Sequence, residues 1–92
     1  MPNFIWDRRK AAANLRKHGV SFETATGVFN DPSPIDEIDD REDYGEERSN
    51  IIGTVEGRLL FVTYTLRGGQ TRIISARKAT PEENRRYHEE ES

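Results

Sequence analysis

One segment in the last third of the chain has the side chains to bind an anion. Residues 66–79, LRGGQTRIISARKA, contain four basic residues and no acid, although the whole chain of 92 residues has a formal net charge of -3. Arginine suits this chemistry, because its planar guanidinium donates paired hydrogen bonds to phosphate oxygens. The segment therefore indicates a site for phosphate or another anion.

The charges of the whole chain are separated in a similar way. Residues 1–20 carry five basic side chains and one acid (+4), and residues 30–47 carry nine acids and one arginine (-8). Residues 57–80 carry five basic side chains and no acid (+5), and residues 81–92 carry five acids and two arginines (-3). A surface that serves only solubility mixes the two signs, so this separation favours a charged partner.

Length and composition restrict the class of protein. A chain of this length predicts one domain, residues 1–92, with a modest core. It has no cysteine, which excludes disulfides and thiolate metal sites. No spacing of His, Asp or Glu indicates a dedicated metal site, so we expect no metal and no other cofactor. Without a signal peptide or a membrane-length apolar run, the sequence predicts a soluble, cytoplasmic protein.

The first half of the chain predicts one strand and two helices. Residues 3–6 form the strand, residues 8–18 the first helix and residues 22–29 the second. Asp7 and Ser21 stand at the positions of helix N-caps. These elements place helices next to a strand, as in an α+β domain.

The second half predicts a long acidic loop at residues 30–47 and then three antiparallel strands. Glu56–Gly57 and Gly68–Gly69 are the two turns of this meander. Thr80 is the expected N-cap of a closing helix. The predicted fold class is therefore α/β of the α+β type, in the order β-α-α-β-β-β-α.

The two turns predict which side chains share a face of the sheet. Thr65 is expected opposite Arg72 in one hairpin and opposite Arg48 in the other, and Phe61 is expected opposite Ala76. The face predicted to pack against the helices carries Ile51, Val55, Leu60, Val62, Tyr64, Leu66 and Ile73.

Three arginines converge on the other face, with Arg48 and Arg72 beside Thr65 and Arg67 at the rim. Neighbouring like charges repel, so something of opposite charge is expected between them. Two interpretations follow from the residues: the arginines bind a phosphate, or Arg48 and Arg72 pair with acids of residues 30–47.

Several separated motifs resemble the BrnT toxin family, which are small ribonucleases of type II toxin–antitoxin modules with a RelE-like fold. The motifs are WDRRKAAANLRKHGVSFETATGVFNDP, DYGEERSNIIG and GRLLFVTYTLRGGQTRIISARKAT, and the resemblance extends from Phe4 to Tyr87. It implies a metal-independent endoribonuclease that cleaves messenger RNA and inhibits translation and growth. It also implies a cognate BrnA-type antitoxin with a ribbon-helix-helix fold, through which alone the toxin reaches operator DNA.

Cleavage of RNA without a metal uses the ribose 2′-hydroxyl as nucleophile, and it needs a base, an acid and positive charge at the phosphate. Under the resemblance, the predicted catalytic residues are Arg72, Arg67, Arg48, His18, Lys17 and Glu47, and the predicted RNA-binding residues are Arg58, Arg77, Lys78 and Thr65. His18 has an alternative role beside Gly19, where it would cap the last carbonyls of its helix.

A second function remains open at this point. The chain could be a non-catalytic module that uses its basic sheet face to bind an acidic protein or nucleic acid. A neighbouring reading frame for a small ribbon-helix-helix protein, or growth arrest on expression of the chain alone, would favour the toxin.

Overall fold

A computed structural model describes residues 3–41 and 45–91, in which a five-stranded sheet has helices on both faces. The strands are β1 (Asn3–Ile5), β2 (Ile35–Asp39), β3 (Arg48–Val55), β4 (Arg58–Arg67) and β5 (Gln70–Lys78). The helices are α1 (Arg8–His18), α2 (Phe22–Ala25), which continues as a 3₁₀ helix (Thr26–Asn30), and α3 (Pro81–Glu91). The strand order is β1-β5-β4-β3-β2, and only β1 runs parallel to its neighbour. The α+β class predicted from the sequence is confirmed. In the described part of the chain, no helix has the length and apolar character needed to cross a membrane.

Local capping signals set the helix ends, as the sequence predicts. The Asp7 carboxylate accepts hydrogen bonds from the backbone N–H groups of Arg9 (2.8 Å) and Lys10 (3.0 Å), so α1 begins directly after it. Gly19 ends α1 in the left-handed conformation, with φ of 71°. The Ser21 hydroxyl accepts from the backbone N–H of Thr24 at the start of α2.

The inner face of the sheet is the face that packs against α1, α2 and the 3₁₀ helix, and it holds the main core. Its buried residues are Val20, Phe22, Ala25, Val28, Ile51, Leu60, Val62, Tyr64, Ile73 and Ala76. Gly53 allows the close contact with the 3₁₀ helix, because a Cβ there would lie 3.1 Å from the Val28 carbonyl oxygen. Leu66 departs from the prediction: it is 73% exposed, since it is the last but one residue of β4.

The outer face, on the other side of the sheet, is covered in part by α3. A second apolar cluster joins Tyr87 of α3 to Ile35, Ile52, Leu59 and Phe61 of the sheet. Thr80 and Glu83 form a reciprocal N-terminal cap: the Thr80 N–H donates to the Glu83 carboxylate (2.9 Å), and the Glu83 N–H donates to the Thr80 hydroxyl (3.1 Å). The closing helix therefore begins where the sequence predicts.

The predicted loop at residues 30–47 is wrong in part, because Ile35–Asp39 form strand β2. This strand pairs antiparallel with β3 at the edge of the sheet. Ile35 is buried, and the Tyr64 hydroxyl donates to both oxygens of Asp36 at 2.8 Å. Residues 42–44 of the predicted loop lie outside the described residues.

The predicted register of the β4–β5 hairpin holds only up to a bulge. Thr65 pairs with Arg72 as predicted, but the register shifts between Thr63 and Tyr64, so that Phe61 pairs with Arg77 and not with Ala76. One extra residue in β5 reverses the faces of the residues that follow it.

The bulge places Ala76 in the core beside a buried side chain of α1. The Asn14 side chain donates to the Ala76 carbonyl (2.8 Å) and the Val20 carbonyl (3.0 Å), and accepts from the Ala76 N–H (3.1 Å). Asn14 therefore fixes α1 against β5.

Candidate active site

The end of the outer face that carries the β4–β5 turn brings together three arginines, Arg48, Arg67 and Arg72, which we call the arginine cluster. Arg72 in β5 pairs with Thr65 in β4. On the other side of β4, Ser49 pairs with Tyr64, which puts the preceding Arg48 level with Thr65. Arg48 and Arg72 are therefore about 10 Å apart, which is two strand spacings. The sequence predicted this arrangement.

Thr65 holds the segment before β3 in place. It is only 4% exposed, and its hydroxyl donates to the Glu47 carbonyl at 2.6 Å. The Thr65 hydroxyl is therefore buried and already bonded, and the contact of Thr65 with RNA stays a prediction. What Thr65 contributes to the site is the position of Glu47 and of the adjacent Arg48.

A carboxylate lies between two members of the arginine cluster. One oxygen of Glu46 is 3.0 Å from Nη2 of Arg67, and the other is 3.4 Å from Nε of Arg48. The hydrogen bond from Arg67, followed by the charges of Arg67 and Arg48, holds the pKa of Glu46 below its ordinary value, although burial opposes this. Pairing with the acidic segment, which the sequence offered for Arg48 and Arg72, therefore holds for Arg48. Arg67 pairs with the same carboxylate, which the sequence did not predict.

Arg72 differs from the other two arginines. It is half-buried between β4 and β1, where it pairs with Ile5. Within residues 3–41 and 45–91 its guanidinium has no hydrogen-bond or ion-pair partner. The positive charge of Arg72 acts on Asp7. The backbone hydrogen bond from Lys10 is the main cause that lowers the pKa of Asp7, and the charge of Arg72 lowers it to a smaller extent. Since the Asp7 carboxylate caps α1, Arg72 remains available to an incoming anion.

An open cavity of about 370 Å³ lies beside the arginine cluster. It is lined by Gly45, Glu46, Glu47, Ser49, Thr65, Leu66 and Arg67. The side chain of Glu47 is exposed here. No three His, Cys, Asp or Glu side chains within the described ranges cluster as metal ligands would.

His18 and Lys17 lie away from the arginine cluster. Helix α1 begins next to Arg72 through Asp7 and runs along β5 to Asn14, which bonds to Ala76. Eleven residues of helix span about 15 Å, so the C-terminal residues of α1 lie at the other end. The structure therefore does not bring His18 and Lys17 to the same point as Arg72.

Three further predicted RNA-binding residues also lie apart from the cluster. Arg58 is exposed at the start of β4, a strand of ten residues or about 30 Å that ends at Arg67. The Arg77 guanidinium donates to both oxygens of Glu83 (2.8 and 3.0 Å) and lies 4.0 Å from the centre of the Phe61 ring. Arg77 therefore attaches α3 to the sheet. Lys78 is exposed at the end of β5.

Tyr64, whose hydroxyl could in principle transfer a proton, lies on the inner face. Burial, together with the hydrogen bond to Asp36, raises the pKa of Tyr64 to about 12. Its hydroxyl is therefore a poor source of either a base or an acid near neutral pH.

The fold and the arginine cluster together define a small α+β domain with a candidate phosphate-binding site at one end of its sheet. The family model described as "Ribonuclease toxin, BrnT, of type II toxin-antitoxin system" matches residues 6–83. The chain therefore belongs to this family of ribonuclease toxins, and membership of a type II system implies an antitoxin partner. No curated protein matches the chain closely enough to count as a relative.

Sequence reasoning missed the acid that contacts the cluster, because it placed Glu47 there and not its neighbour Glu46. Adjacent residues in extended chain point to opposite sides. The structure shows the Glu46 side chain on the arginines and the Glu47 carbonyl on Thr65. The pair of acids before Arg48 was a signal that one of them would reach it, but the sequence does not tell which.

Proposed function

We propose that this protein is an endoribonuclease that cleaves messenger RNA without a metal and so inhibits translation and growth. The observation that carries the proposal is the convergence of Arg48, Arg67 and Arg72 at an uncovered end of the sheet, in a chain that belongs to a family of ribonuclease toxins. The single domain, residues 1–92, acts in the cytoplasm, where its substrate is found.

In the proposed reaction, the ribose 2′-hydroxyl attacks the adjacent phosphorus and the bond to the 5′-oxygen of the next nucleotide breaks. The products are a 2′,3′-cyclic phosphate and a 5′-hydroxyl. Negative charge develops on the phosphate oxygens in the transition state, and preorganised donors stabilise it. Arg72 suits this role best, because it can bind the scissile phosphate without displacing a carboxylate.

Proton transfer in this proposal falls to Glu47. Its carbonyl accepts a hydrogen bond from Thr65 next to Arg48, and Glu47 is an exposed residue in the lining of the cavity beside the cluster. His18 and Lys17 lie about one helix length from Arg72. We therefore assign them contacts with RNA away from the scissile bond, together with Arg58 and Lys78.

The proposed partner is a ribbon-helix-helix antitoxin of the BrnA type that covers the arginine cluster. Operator DNA is then reached through the antitoxin, because a chain with a net charge of -3 has little long-range attraction to phosphate. Tight and specific binding of operator DNA by the toxin alone would contradict this.

The proposal is tested by replacing Arg72. Removing one preorganised donor costs about 3 kcal/mol of barrier, so Arg72→Ala should lower the rate of RNA cleavage a hundredfold or more. Arg72→Lys should restore only part of the activity, because an ammonium cannot reproduce the planar fork. The measurements are cleavage of an RNA oligonucleotide by purified protein and growth on induction.

Arg85→Ala is the matched control, since it removes the same charge from an exposed position in α3. Circular dichroism must show that each variant is folded. If folded Arg72→Ala cleaves RNA at the wild-type rate, the arginine cluster serves for docking and the catalytic assignment fails.

A further inference from the structure

We propose that the Glu46 carboxylate occupies the place of a substrate phosphate between Arg48 and Arg67, and that RNA must displace it in order to bind. Glu46 is then an internal competitor that lowers the affinity of the free toxin for RNA. This inference rests on the proposed function, because it identifies a second phosphate contact beside the one at Arg72.

Glu46, Arg48 and Arg67 have the geometry of an anion-binding site in which a carboxylate is already bound. Two guanidinium groups from different strands, Arg48 of β3 and Arg67 of β4, approach opposite oxygens of one carboxylate. A phosphodiester presents two non-bridging oxygens with one negative charge, so it can pair with the same two guanidinium groups. Since Arg48 lies level with Thr65 and Arg72, an RNA strand held at Arg72 would bring a neighbouring phosphate toward this point.

Glu46 is also placed so that it can leave. It lies before the start of β3, outside the hydrogen bonds of the sheet, and its side chain is 24% exposed. The Thr65 hydroxyl donates its hydrogen bond to the Glu47 carbonyl, so this bond does not hold Glu46. Rotation of the Glu46 side chain would therefore withdraw its carboxylate from both arginines while the backbone stays in place.

A purely structural role of Glu46 predicts a different change in RNA affinity when Glu46 is replaced. Partly exposed ion pairs contribute little to folding, so loss of Glu46 should leave the fold intact under either view. If Glu46 held the arginines in their binding positions, however, its removal would weaken RNA binding. The direction of the change in affinity therefore separates a competitor from a positioning residue.

The experiment measures binding of a 2′-O-methyl RNA oligonucleotide, which lacks the attacking hydroxyl and cannot be cleaved. We expect Glu46→Gln to tighten binding roughly three- to tenfold, the size expected from the loss of two partly exposed ion pairs. Glu56→Gln is the matched control, because it removes one charge from an exposed turn at the other end of the sheet. It should change affinity by less than about twofold at physiological salt.

A double-mutant cycle tests whether the effect passes through the arginines. In an Arg67→Ala background, Glu46→Gln should gain much less affinity than it gains in the wild-type chain. The inference is overturned if Glu46→Gln binds no more tightly than Glu56→Gln, or binds more weakly. That result would leave the proposed function standing if Arg72→Ala has lost cleavage. Tighter binding by Glu46→Gln with normal cleavage by Arg72→Ala would leave this inference standing and refute the catalytic assignment of the arginine cluster.

Discussion

The Tyr87 hydroxyl joins α3 to the rest of the domain through one buried carboxylate, and replacing Tyr87 by Phe tests what this contact contributes. The hydroxyl donates to Asp31 at 2.6 Å. The same carboxylate accepts from the backbone N–H of Ser33 (2.8 Å) and from the backbone N–H (2.8 Å) and hydroxyl (3.0 Å) of Thr54. Tyr87 is 3% exposed and Asp31 8% exposed, so water cannot easily replace the lost donor.

The size of the effect follows from these contacts. A hydrogen bond to a charged group contributes about 1.5–3 kcal/mol, whereas Tyr87→Phe keeps the ring and its packing. Asp31 retains its other three donors, so we expect the free energy of unfolding to fall by about 2 kcal/mol. For a domain of this size, that lowers Tm by about 10 °C.

Tyr64→Phe is the matched control, because it makes the same chemical change at a second hydroxyl–carboxylate contact. Tyr64 donates to Asp36, which is exposed on the edge strand β2. Water can therefore hydrate Asp36 after the change, and the expected loss is only about 0.5–1 kcal/mol. Urea denaturation of the two variants and the wild type gives both losses under the same conditions.

The reasoning would be refuted by the reverse order. If Tyr64→Phe destabilises the domain as much as Tyr87→Phe, the burial of the acceptor does not set the strength of these contacts. If Tyr87→Phe costs less than about 0.5 kcal/mol, Asp31 is not the attachment point of α3.

Two further predictions concern the same attachment. Burial raises the pKa of Asp31, but hydrogen bonds from Tyr87, Ser33 and Thr54 outweigh it and leave this pKa below its ordinary value. The stability that Asp31 contributes is thus complete above about pH 4, the unfolded pKa, and it is lost as pH falls through the folded pKa. When urea denaturation is repeated from pH 6 to pH 3, the free energy of unfolding should therefore fall less for Asp31→Asn than for the wild type. Arg77→Lys keeps the charge but loses the two parallel bonds to Glu83, so amide hydrogen exchange in α3 should accelerate while exchange in α1 does not change.

Local signals made the helix ends predictable from the sequence. Asp7, Gly19, Ser21 and Thr80 act through hydrogen bonds or backbone conformations within a few residues of their own position. Such interactions depend on nearby sequence only, and so each could be read before the fold was known.

Strand β2 could not be recognised in the same way, because its sequence does not alternate. In Ile35–Asp39 the buried residues are the first and the last, and the exposed Ile38 breaks the period of two. The contacts that accompany the strand come from distant parts of the chain, namely Tyr64 to Asp36 and Arg86 to Glu37. Acid-rich composition therefore indicated a loop where tertiary contacts form a strand.

The arginine cluster was predictable as far as the turn geometry determined the register. The two-residue turn at Gly68–Gly69 sets Thr65 opposite Arg72, and the position of Arg48 follows from the other hairpin. The side chain that pairs with the cluster was not predictable, because Glu46 precedes β3 and no strand register fixes its direction.

The bulge in β5 brings two arginines of the basic segment to one face of the sheet, where α3 covers only one of them. Five positions separate Arg72 from Arg77, so in a regular strand they would face opposite sides of the sheet. The extra residue puts both on the outer face, with Arg72 opposite Thr65 and Arg77 opposite Phe61. There Arg77 binds Glu83 of α3, and α3 covers that end of the face, while Arg72 stays at the open end. Because α3 takes up one arginine and leaves the other unpaired by the described residues, the same face can both stabilise the domain and present a site to phosphate.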